Sequence, residues 1–191
     1  MIWAVLLAAG ESRRMGTPKQ LLPFGRTTVI ETALEHILAS GADRTLVVLG
    51  AARDRIEPLL KRFPVEVTVN PDFREGMLSS VRWGISRLPH EARAAMIFLG
   101  DQPWITSKTI DRVIDAFRTS GRGLVLPAIG KSGGHPLLID LKYRAEIERL
   151  NPEIGLKELL SRHPEDVCHV QSGEAGVLRD MDTLSDYKDS K

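Results

Sequence analysis

The chain has 191 residues, of which 27% are charged, and its formal net charge of +1 excludes the basic excess typical of nucleic-acid-binding proteins. Its single cysteine excludes an internal disulfide framework and a cysteine-based zinc cluster. It begins with strand-like residues rather than a signal peptide, and no apolar run approaches the roughly 20 residues that span a bilayer. We therefore expect one soluble domain over residues 1–191, in the reducing cytoplasm, without a membrane or nucleic-acid partner.

Strand-like and helix-like segments alternate through the first two thirds of the chain. Residues 2–7 are an apolar run without polar alternation, which predicts a strand buried on both faces. Thr27 or Thr28 can cap the following helix, which Gly41 ends. The next segments are predicted to be a strand over 45–49, a helix over 53–62 shortened or bent by Pro58, a strand over 65–69, a helix over 76–87, a strand over 95–99, a helix from Thr106 to near Gly121 and a strand over 124–126.

The alternation loosens after Pro127. Residues 136–139 are predicted to form an antiparallel strand, followed by helices near 144–150 and 155–162 and a short strand over 166–170. This order indicates a single-domain Rossmann-like α/β fold, in which helices cover both faces of a mostly parallel mixed sheet and give three α/β/α layers. Ligands of such sheets bind beyond the carboxyl ends of the strands, so the loops at those ends form the candidate site.

The loop after the first strand has the composition of an anion-binding loop. Ala8-Ala9-Gly10 ends the strand with small residues, which let a ligand approach the backbone closely. Ser12, Arg13, Arg14 and Lys19 follow, and exposed amide N–H groups beside cationic side chains favour a phosphate ligand. Neither the P-loop nor the dinucleotide-binding glycine pattern is present, so an ordinary strand-to-helix turn stays open when the glycines are judged alone.

The same loop carries a resemblance to a known family. The pattern Leu7-Ala8-Ala9-Gly10-x-Ser12-x-Arg14-Met15-Gly16-x-x-Lys19 resembles the signature of the MobA-like nucleotidyltransferases. The continuation over residues 18–25 is most similar to the branch that acts on molybdenum cofactor with CTP. The resemblance implies the nucleotide-diphospho-sugar transferase fold and a nucleotide site that includes residues 7–10, Ser12 and Lys19.

Asn70, Ser79 and Ser80 form a second candidate segment. Asn70 closes the third predicted strand, and the two serines lie in the first turn of the next helix, where backbone N–H groups lack helical partners. Such short polar groups suit a base or sugar edge, although Asn70 could equally shape a turn while a serine caps the helix. In the family, the pattern Asn-Pro-x-x-x-x-Gly-Met-x-Ser-Ser lines the nucleotide pocket, so the resemblance implies that all three bind nucleotide.

Asp101 is the candidate metal ligand. It follows the fourth predicted parallel strand between Gly100 and Gln102-Pro103, a fixed position that suits a bound cation. Mg²⁺ takes oxygen ligands and is typically held by one or two carboxylates together with substrate phosphates. The alternative is that Asp101 caps the next helix, although Thr106 and Ser107 are better placed for that. The Gly-Asp-x-Pro pattern matches the family motif whose aspartate coordinates magnesium.

Two further motifs complete the set. The first, Gly133-Gly134-His135-Pro136, holds a histidine in a fixed loop. The residues alone favour a histidine on the surface or one whose hydrogen bonds are made within the core. The resemblance implies instead that Gly134, His135 and Pro136 contact the acceptor substrate. Asp180 and Asp182 alternate, so in an extended segment both point to one side. The resemblance implies that Asp182 joins Asp101 at the metal, although Asp182 or Thr183 could instead cap a final helix.

The resemblance implies a Mg²⁺-dependent nucleotidyltransferase that joins CMP from CTP to a molybdopterin-type acceptor and releases pyrophosphate. Lys19 and Arg14 would hold the triphosphate and act with Asp101 in catalysis. In the family, Ala9 goes with cytidine and a glycine there with guanine, so GTP is the alternative nucleotide. A sugar or polyol phosphate is the alternative acceptor, and a nucleotide or molybdopterin carrier or chaperone is the alternative outside enzymes. A molybdoenzyme or its chaperone is a further possible partner.

Overall fold

The computed structural model describes residues 1–12, 15–179, 181 and 184–188 of the chain. The strands in this part are β1 (Ile2–Ala8), β2 (Pro23–Phe24), β3 (Thr27–Thr28), β4 (Arg44–Leu49), β5 (Glu66–Val69), β6 (Ala94–Leu99), β7 (Leu124–Ile129), β8 (Ser132–Gly133), β9 (Leu137–Asp140) and β10 (Val167–Gln171). The helices are α1 (Val29–Leu38), α2 (Arg53–Leu60), α3 (Met77–Arg87), α4 (Ser107–Ser120), α5 (Arg144–Ile147), α6 (Leu156–Arg162) and α7 (Leu184–Lys188).

The main sheet is built around β1. Within the described residues it has eight strands in the order β10-β7-β9-β6-β1-β4-β5, with β8 paired to β7 outside that path. β1 runs parallel to β4 on one side and to β6 on the other, and Leu6 lies opposite Val47 and Phe98. All seven residues of β1 are buried, which confirms the strand predicted from its unbroken apolar run.

The sheet is mixed, as predicted. β9 is antiparallel to both β6 and β7, whereas β10 pairs parallel to β7 at the edge. β7 is longer than predicted because it continues through Pro127. On one side of β7, the β9 ladder reaches Leu124 and Val125 and the β8 ladder begins at Ala128, so Pro127 lies between these two ladders, where its missing N–H costs little. On the other side, Pro127 pairs with Val170 of β10.

Helices cover both faces of the sheet, and the residues of β1 alternate between the two cores. Ala4 and Leu6 pack in a core with α1, α2 and α4, while Val5 and Leu7 pack in a core with α3, α5 and α6. On the second face, a Cβ atom at Gly84 of α3 would lie 2.8 Å from a methyl carbon of Val5, so the helix backbone packs directly on the strand. The three-layer α/β/α prediction is therefore confirmed.

The starts of α1 and α4 and the end of α4 follow the predicted capping residues, whereas α1 ends at Leu38 with Ala39 at its C-cap, before the predicted Gly41. Thr28 and Glu31 form a capping box at the start of α1. Thr106 caps α4, and Gly121 ends that helix in the left-handed conformation with φ +69°. The helix expected over 144–150 is shorter, because a 3₁₀ turn over Leu141–Tyr143 leads into α5 and the helix ends at Ile147. The small β2–β3 hairpin was not predicted.

A third, small apolar cluster joins the chain's C-terminal segment to the loop after β1. Its buried members are Met15, Val29, Met181 and Tyr187, and the Tyr187 hydroxyl donates to a backbone oxygen at 2.6 Å, that of Pro23. The C-terminal segment therefore packs beneath the loop predicted to bind phosphate. None of the described helices is long and apolar enough to cross a membrane.

Candidate nucleotide site

A cleft of about 300 Å³ opens at the carboxyl ends of β1 and β6. The residues around it are Leu7, Ala9, Gly10, Lys19, Gln20, Phe73, Gly76, Met77, Ser80, Leu99, Gly100 and Asp101. They come from the loop after β1, the following 3₁₀ turn, the start of α3 and the loop after β6. This is the edge at which parallel α/β sheets bind their ligands. Six of the predicted site residues line the cleft: Leu7, Ala9, Gly10, Lys19, Ser80 and Asp101.

Small residues let the strand ends pack closely beneath the cleft. A Cβ atom at Gly100 would lie 2.8 Å from the carbonyl oxygen of Leu7 and 3.3 Å from the Cβ of Ala8. Ala8 is fully buried, so it supports the cleft from below, whereas Ala9 lines it. A Cβ atom at Gly10 would meet no described atom within 4 Å, so the backbone there faces open space. A ligand can approach this backbone, as the sequence predicts.

Ser12 shapes the loop between β1 and Lys19. It has a positive φ of 51°, and its side-chain oxygen accepts a hydrogen bond from the Lys19 N–H at 3.0 Å. Its carbonyl oxygen accepts from the Met15 N–H at 2.9 Å. These bonds fix the main chain at Lys19, so the described contacts of Ser12 position the loop; its contact with nucleotide stays a prediction. Arg14 lies outside the described residues.

Lys19 and Asp101 meet across the cleft. They are 82 positions apart in sequence, and the Lys19 ammonium donates directly to a carboxylate oxygen of Asp101. The two side chains are only 18% and 11% exposed, so much of the pair is withdrawn from water. Charges in such a setting interact more strongly than surface pairs do. The loop after β1 and the loop after β6 thus bring one cation and one anion to the same ligand space.

Asn70 joins β5 to α3, and only one of its two serine partners faces the cleft. The Asn70 amide nitrogen donates to the hydroxyls of Ser79 and Ser80 at 2.9 and 3.0 Å, while its oxygen accepts from the Asp72 N–H at 2.9 Å. Ser80 lines the cleft, whereas Asn70 and Ser79 line a neighbouring depression of about 200 Å³. The turn-shaping alternative for Asn70 therefore has direct structural support.

The predicted acceptor loop faces an adjoining pocket rather than the cleft itself. The pocket measures about 170 Å³ and is lined by Met77, Leu126, Gly133, Gly134, His135, Leu137, Ile154, Leu156, Lys157 and Leu160. It shares Met77 with the nucleotide cleft. The loop is held from behind: the His135 N–H donates to the Val177 carbonyl at 3.1 Å, and a Cβ atom at Gly134 would lie 1.9 Å from that oxygen. Pro136 is buried beside it.

Asp101 is the metal-ligand candidate that the structure describes. Asp182, predicted as the second ligand, lies outside the described residues, as does Asp180. Among the residues described, no group of three or more His, Cys, Asp or Glu side chains is placed to hold a metal ion. Asp101 fits a cation of the magnesium type nonetheless, because such an ion needs few protein carboxylates when substrate phosphates and water supply the remaining oxygens.

Gln20 is a cleft residue that the sequence did not reveal. It lines the cleft and is 3% exposed, and its side-chain oxygen has no hydrogen-bond partner among the described residues. A buried polar atom without a partner costs stability, and such atoms are rare in folded proteins. Gln20 directly follows Lys19, but a glutamine carries no charge. A search of the loop for phosphate-binding cations therefore does not select it.

Fold and site together define a three-layer α/β protein whose ligand cleft lies at the carboxyl edge of a mostly parallel sheet. Residues 4–167 match the model of the MobA-like NTP transferase domain, and the chain belongs to that family. The resemblance seen in the first loop is therefore confirmed.

The relatives cover nearly the whole chain. The chain is 30% identical to nicotine blue oxidoreductase from Paenarthrobacter nicotinovorans, over 96% of the chain and 93% of that protein. It is 28% identical to molybdenum cofactor cytidylyltransferase from Escherichia coli, over 98% and 94%. The crystal structure of Rv0371c from Mycobacterium tuberculosis superposes with a TM-score of 0.86 at 31% identity, over 99% and 96%. A complex of Rv0371c with manganese superposes with a TM-score of 0.82 at 30% identity, over 99% and 97%.

Proposed function

We propose that this protein is a CTP:molybdopterin cytidylyltransferase that uses Mg²⁺. The proposal rests on the pairing of Lys19 with Asp101 across one cleft, which puts a phosphate-binding cation beside a metal-binding carboxylate. Family membership supports a nucleotidyltransferase, and the similarity to molybdenum cofactor cytidylyltransferase supports this donor and acceptor. A molybdoenzyme or its chaperone remains the predicted recipient of the product.

In this reaction the protein positions the two substrates and neutralises the negative charge of their phosphates. A phosphate oxygen of the acceptor attacks the α-phosphorus of CTP, the bond to the bridging oxygen breaks, and pyrophosphate leaves. Lys19 would bind the triphosphate and offset negative charge as the leaving group departs. The open backbone at Gly10 would lie against the nucleotide. Arg14 is proposed to assist Lys19. Correct alignment of attacking and leaving oxygens supplies much of the remaining rate acceleration.

Asp101 would hold the metal, with Asp182 proposed as a second ligand. Mg²⁺ supplies charge neutralisation on the phosphates when it is bound. The manganese complex of Rv0371c supports a divalent ion in a relative of similar fold and 30% identity. For this chain the supporting observation is the Asp101 side chain, which is 11% exposed and stands at the cleft wall beside a cation.

The apolar pocket next to the cleft would receive the acceptor. Its wall includes Gly134 and His135, and Met77 connects it to the nucleotide cleft. Apart from Lys157 and His135, the lining residues are apolar or small, which suits a flat ring system that carries an anionic group. Ala9 lines the cleft, and the extra methyl group of an alanine at this position, compared with glycine, would favour CTP over GTP by leaving less room for a purine.

One relative favours a second candidate function. Nicotine blue oxidoreductase is 30% identical over 96% of the chain, so an oxidoreductase of the same fold is the rival enzyme. The Lys19–Asp101 pair favours the transferase, because a cation and a carboxylate in the same cleft suit a metal-bound triphosphate.

One experiment separates these functions. The full chain is incubated with CTP or GTP, with and without molybdopterin and Mg²⁺, and pyrophosphate is measured. We expect release with CTP that needs both the acceptor and the metal. Equal release with GTP would overturn the nucleotide assignment, and release with a sugar phosphate instead of molybdopterin would overturn the acceptor. Binding of CTP without release would indicate a carrier. In a parallel arm, reduction of nicotine blue with a reduced nicotinamide nucleotide as the electron donor would indicate the oxidoreductase.

A further inference from the structure

Lys19 and Asp101 are the two charged groups assigned to substrate and metal, yet in the structure each is bonded to the other. Their side chains are 18% and 11% exposed. The main chain at Lys19 is held by the bond from its N–H to Ser12, so the side chain is the part that can move. The pair therefore occupies the positions from which triphosphate and metal must be bound.

Binding of only one of the two ligands, the metal or the triphosphate, is electrostatically unfavourable at this site. A cation bound at Asp101 without nucleotide would lie beside the Lys19 ammonium, or would leave that ammonium without its carboxylate. A triphosphate bound at Lys19 without metal would lie beside the Asp101 carboxylate. Like charges held close together in a partly buried site repel each other, and each displaced group also loses the attraction of its present partner. When metal and triphosphate bind together, both groups exchange the old partner for a new one.

We propose that the Lys19–Asp101 pair is an autoinhibitory latch that makes the divalent cation and the nucleoside triphosphate bind cooperatively. The proposal rests on the roles given to the two residues under the proposed function. Each ligand opens the pair for the other, so by linkage the metal raises the affinity for nucleotide by the same factor as the nucleotide raises the affinity for metal. Without ligands, the opposite charges of Lys19 and Asp101 offset each other, and the pair resists either ligand alone.

The surroundings of the pair suit exchange of partners. Within the described residues, Lys19 is the partner that the structure gives to the Asp101 carboxylate. The pair lies at the cleft wall rather than in the core, so incoming ligands can reach it. A purely structural ion pair needs neither feature.

The test measures equilibrium binding rather than turnover. Calorimetric titrations of the full chain use CTP in the presence of a chelator, Mn²⁺ without nucleotide, and each ligand with the other present. In the wild type, we expect each ligand to raise the affinity for the other about tenfold or more. Asp101→Asn should bind metal-free CTP about tenfold more tightly than the wild type, because it removes a negative charge beside the incoming triphosphate. Lys19→Met should bind Mn²⁺ alone about tenfold more tightly.

Matched controls separate the latch from general charge effects. Asp115→Asn on α4 and Lys61→Met after α2 make the same changes at exposed positions away from the cleft, and they should leave both affinities unchanged. Thermal unfolding checks that each variant is folded. Mn²⁺ should raise the melting temperature of Lys19→Met more than that of the wild type, since the unpaired Asp101 carboxylate gains most from a cation.

The latch is overturned if metal-free CTP binds Asp101→Asn no more tightly than the wild type, or if Mn²⁺ alone binds Lys19→Met no more tightly. Its failure can be told apart from failure of the proposed function. If the wild type releases pyrophosphate but Asp101→Asn gains no affinity for CTP, the latch is wrong and the transferase function stands. If Asp101→Asn gains affinity for CTP and Lys19→Met gains affinity for Mn²⁺, but the wild type releases no pyrophosphate, the transferase function is wrong and the latch stands.

Discussion

Two lysine–aspartate pairs lie at opposite edges of the sheet, and their surroundings differ. Lys19 and Asp101 meet at the carboxyl edge, in the cleft. Lys142 and Asp166 meet at 2.7 Å near the amino ends of β7 and β10. Asp166 also accepts a bond from the Tyr143 hydroxyl at 2.6 Å. Its carboxylate is therefore held by two side chains at once.

The difference matches a structural role for Lys142 and Asp166 and the ligand-binding role that we propose for Lys19 and Asp101. Burial raises the pKa of Asp166, but the bonds from Lys142, Tyr143 and the Gly123 backbone outweigh it and lower that pKa from 3.8 to about 2. A carboxylate so fixed contributes stability and has little reason to change partner. Asp101 stands at a ligand cleft with the mobile ammonium of Lys19 as partner, which suits exchange. The following predictions test this contrast.

The largest effect is expected on catalysis at Asp101. Asp101→Ala should fold and lose about a hundredfold or more in rate, equivalent to roughly 3 kcal/mol in the barrier, because one preorganised electrostatic contact is lost. Pyrophosphate release under saturating CTP measures this loss. Asp166→Asn is the matched control and should keep the wild-type rate. Full turnover by Asp101→Ala would reject its assignment as metal ligand.

The next effect is on stability at Asp166. The fall of its pKa from 3.8 to about 2 corresponds to about 2 kcal/mol of stabilisation at neutral pH. Asp166→Asn should lower the free energy of unfolding by that amount, as measured in urea. An unchanged unfolding midpoint would mean that the network around Tyr143 adds nothing.

The same group predicts a pH dependence. Because the pKa of Asp166 is lower in the folded than in the unfolded state, its stabilisation is complete above about pH 5 and is lost as the pH falls towards 2. The stability difference between wild type and Asp166→Asn should therefore shrink towards zero over this interval. Urea unfolding at a series of pH values measures it, and a difference that stays constant down to pH 2 would contradict the assignment.

The smallest effect is expected at Gln20. Gln20→Met removes a buried oxygen that has no partner among the described residues, so it should raise the free energy of unfolding by about 1 kcal/mol. The affinity for CTP should fall at the same time, since Gln20 lines the ligand cleft, as is common when stability and function compete. Gln171→Met, at an exposed glutamine on β10, is the control for both readings. A destabilised Gln20→Met with unchanged CTP affinity would make the amide structural.

Much of the fold follows from local sequence signals. The apolar run of β1, the capping residue Thr106 and the left-handed Gly121 each act over a few neighbouring residues, so sequence alone predicts them. The β2–β3 hairpin is missed because its two-residue strands are too short for a periodic pattern. The second half of β7 is missed because a proline normally argues against a central strand. Pro127 is acceptable there only because of where the hydrogen bonds to β8 and β9 lie, which the sequence does not show.

The site is less accessible to sequence reasoning, because contacts between distant segments decide it. The motifs identified the loops of Lys19 and Asp101, but their direct bond joins positions 82 apart and depends on the order of the strands. The direction in which Ser79 faces follows from its bond to Asn70, which no helical pattern specifies. The positive φ of Ser12 arises from the loop's own hydrogen bonds.

The most direct test is the rate of pyrophosphate release by the full chain with molybdopterin, comparing CTP with GTP in the presence and absence of Mg²⁺. The account predicts release that requires the metal, prefers CTP and disappears in Lys19→Met as well as in Asp101→Ala. Release that persists in both variants, or none under any of these conditions, would contradict the claim that Lys19 and Asp101 act on one nucleotide.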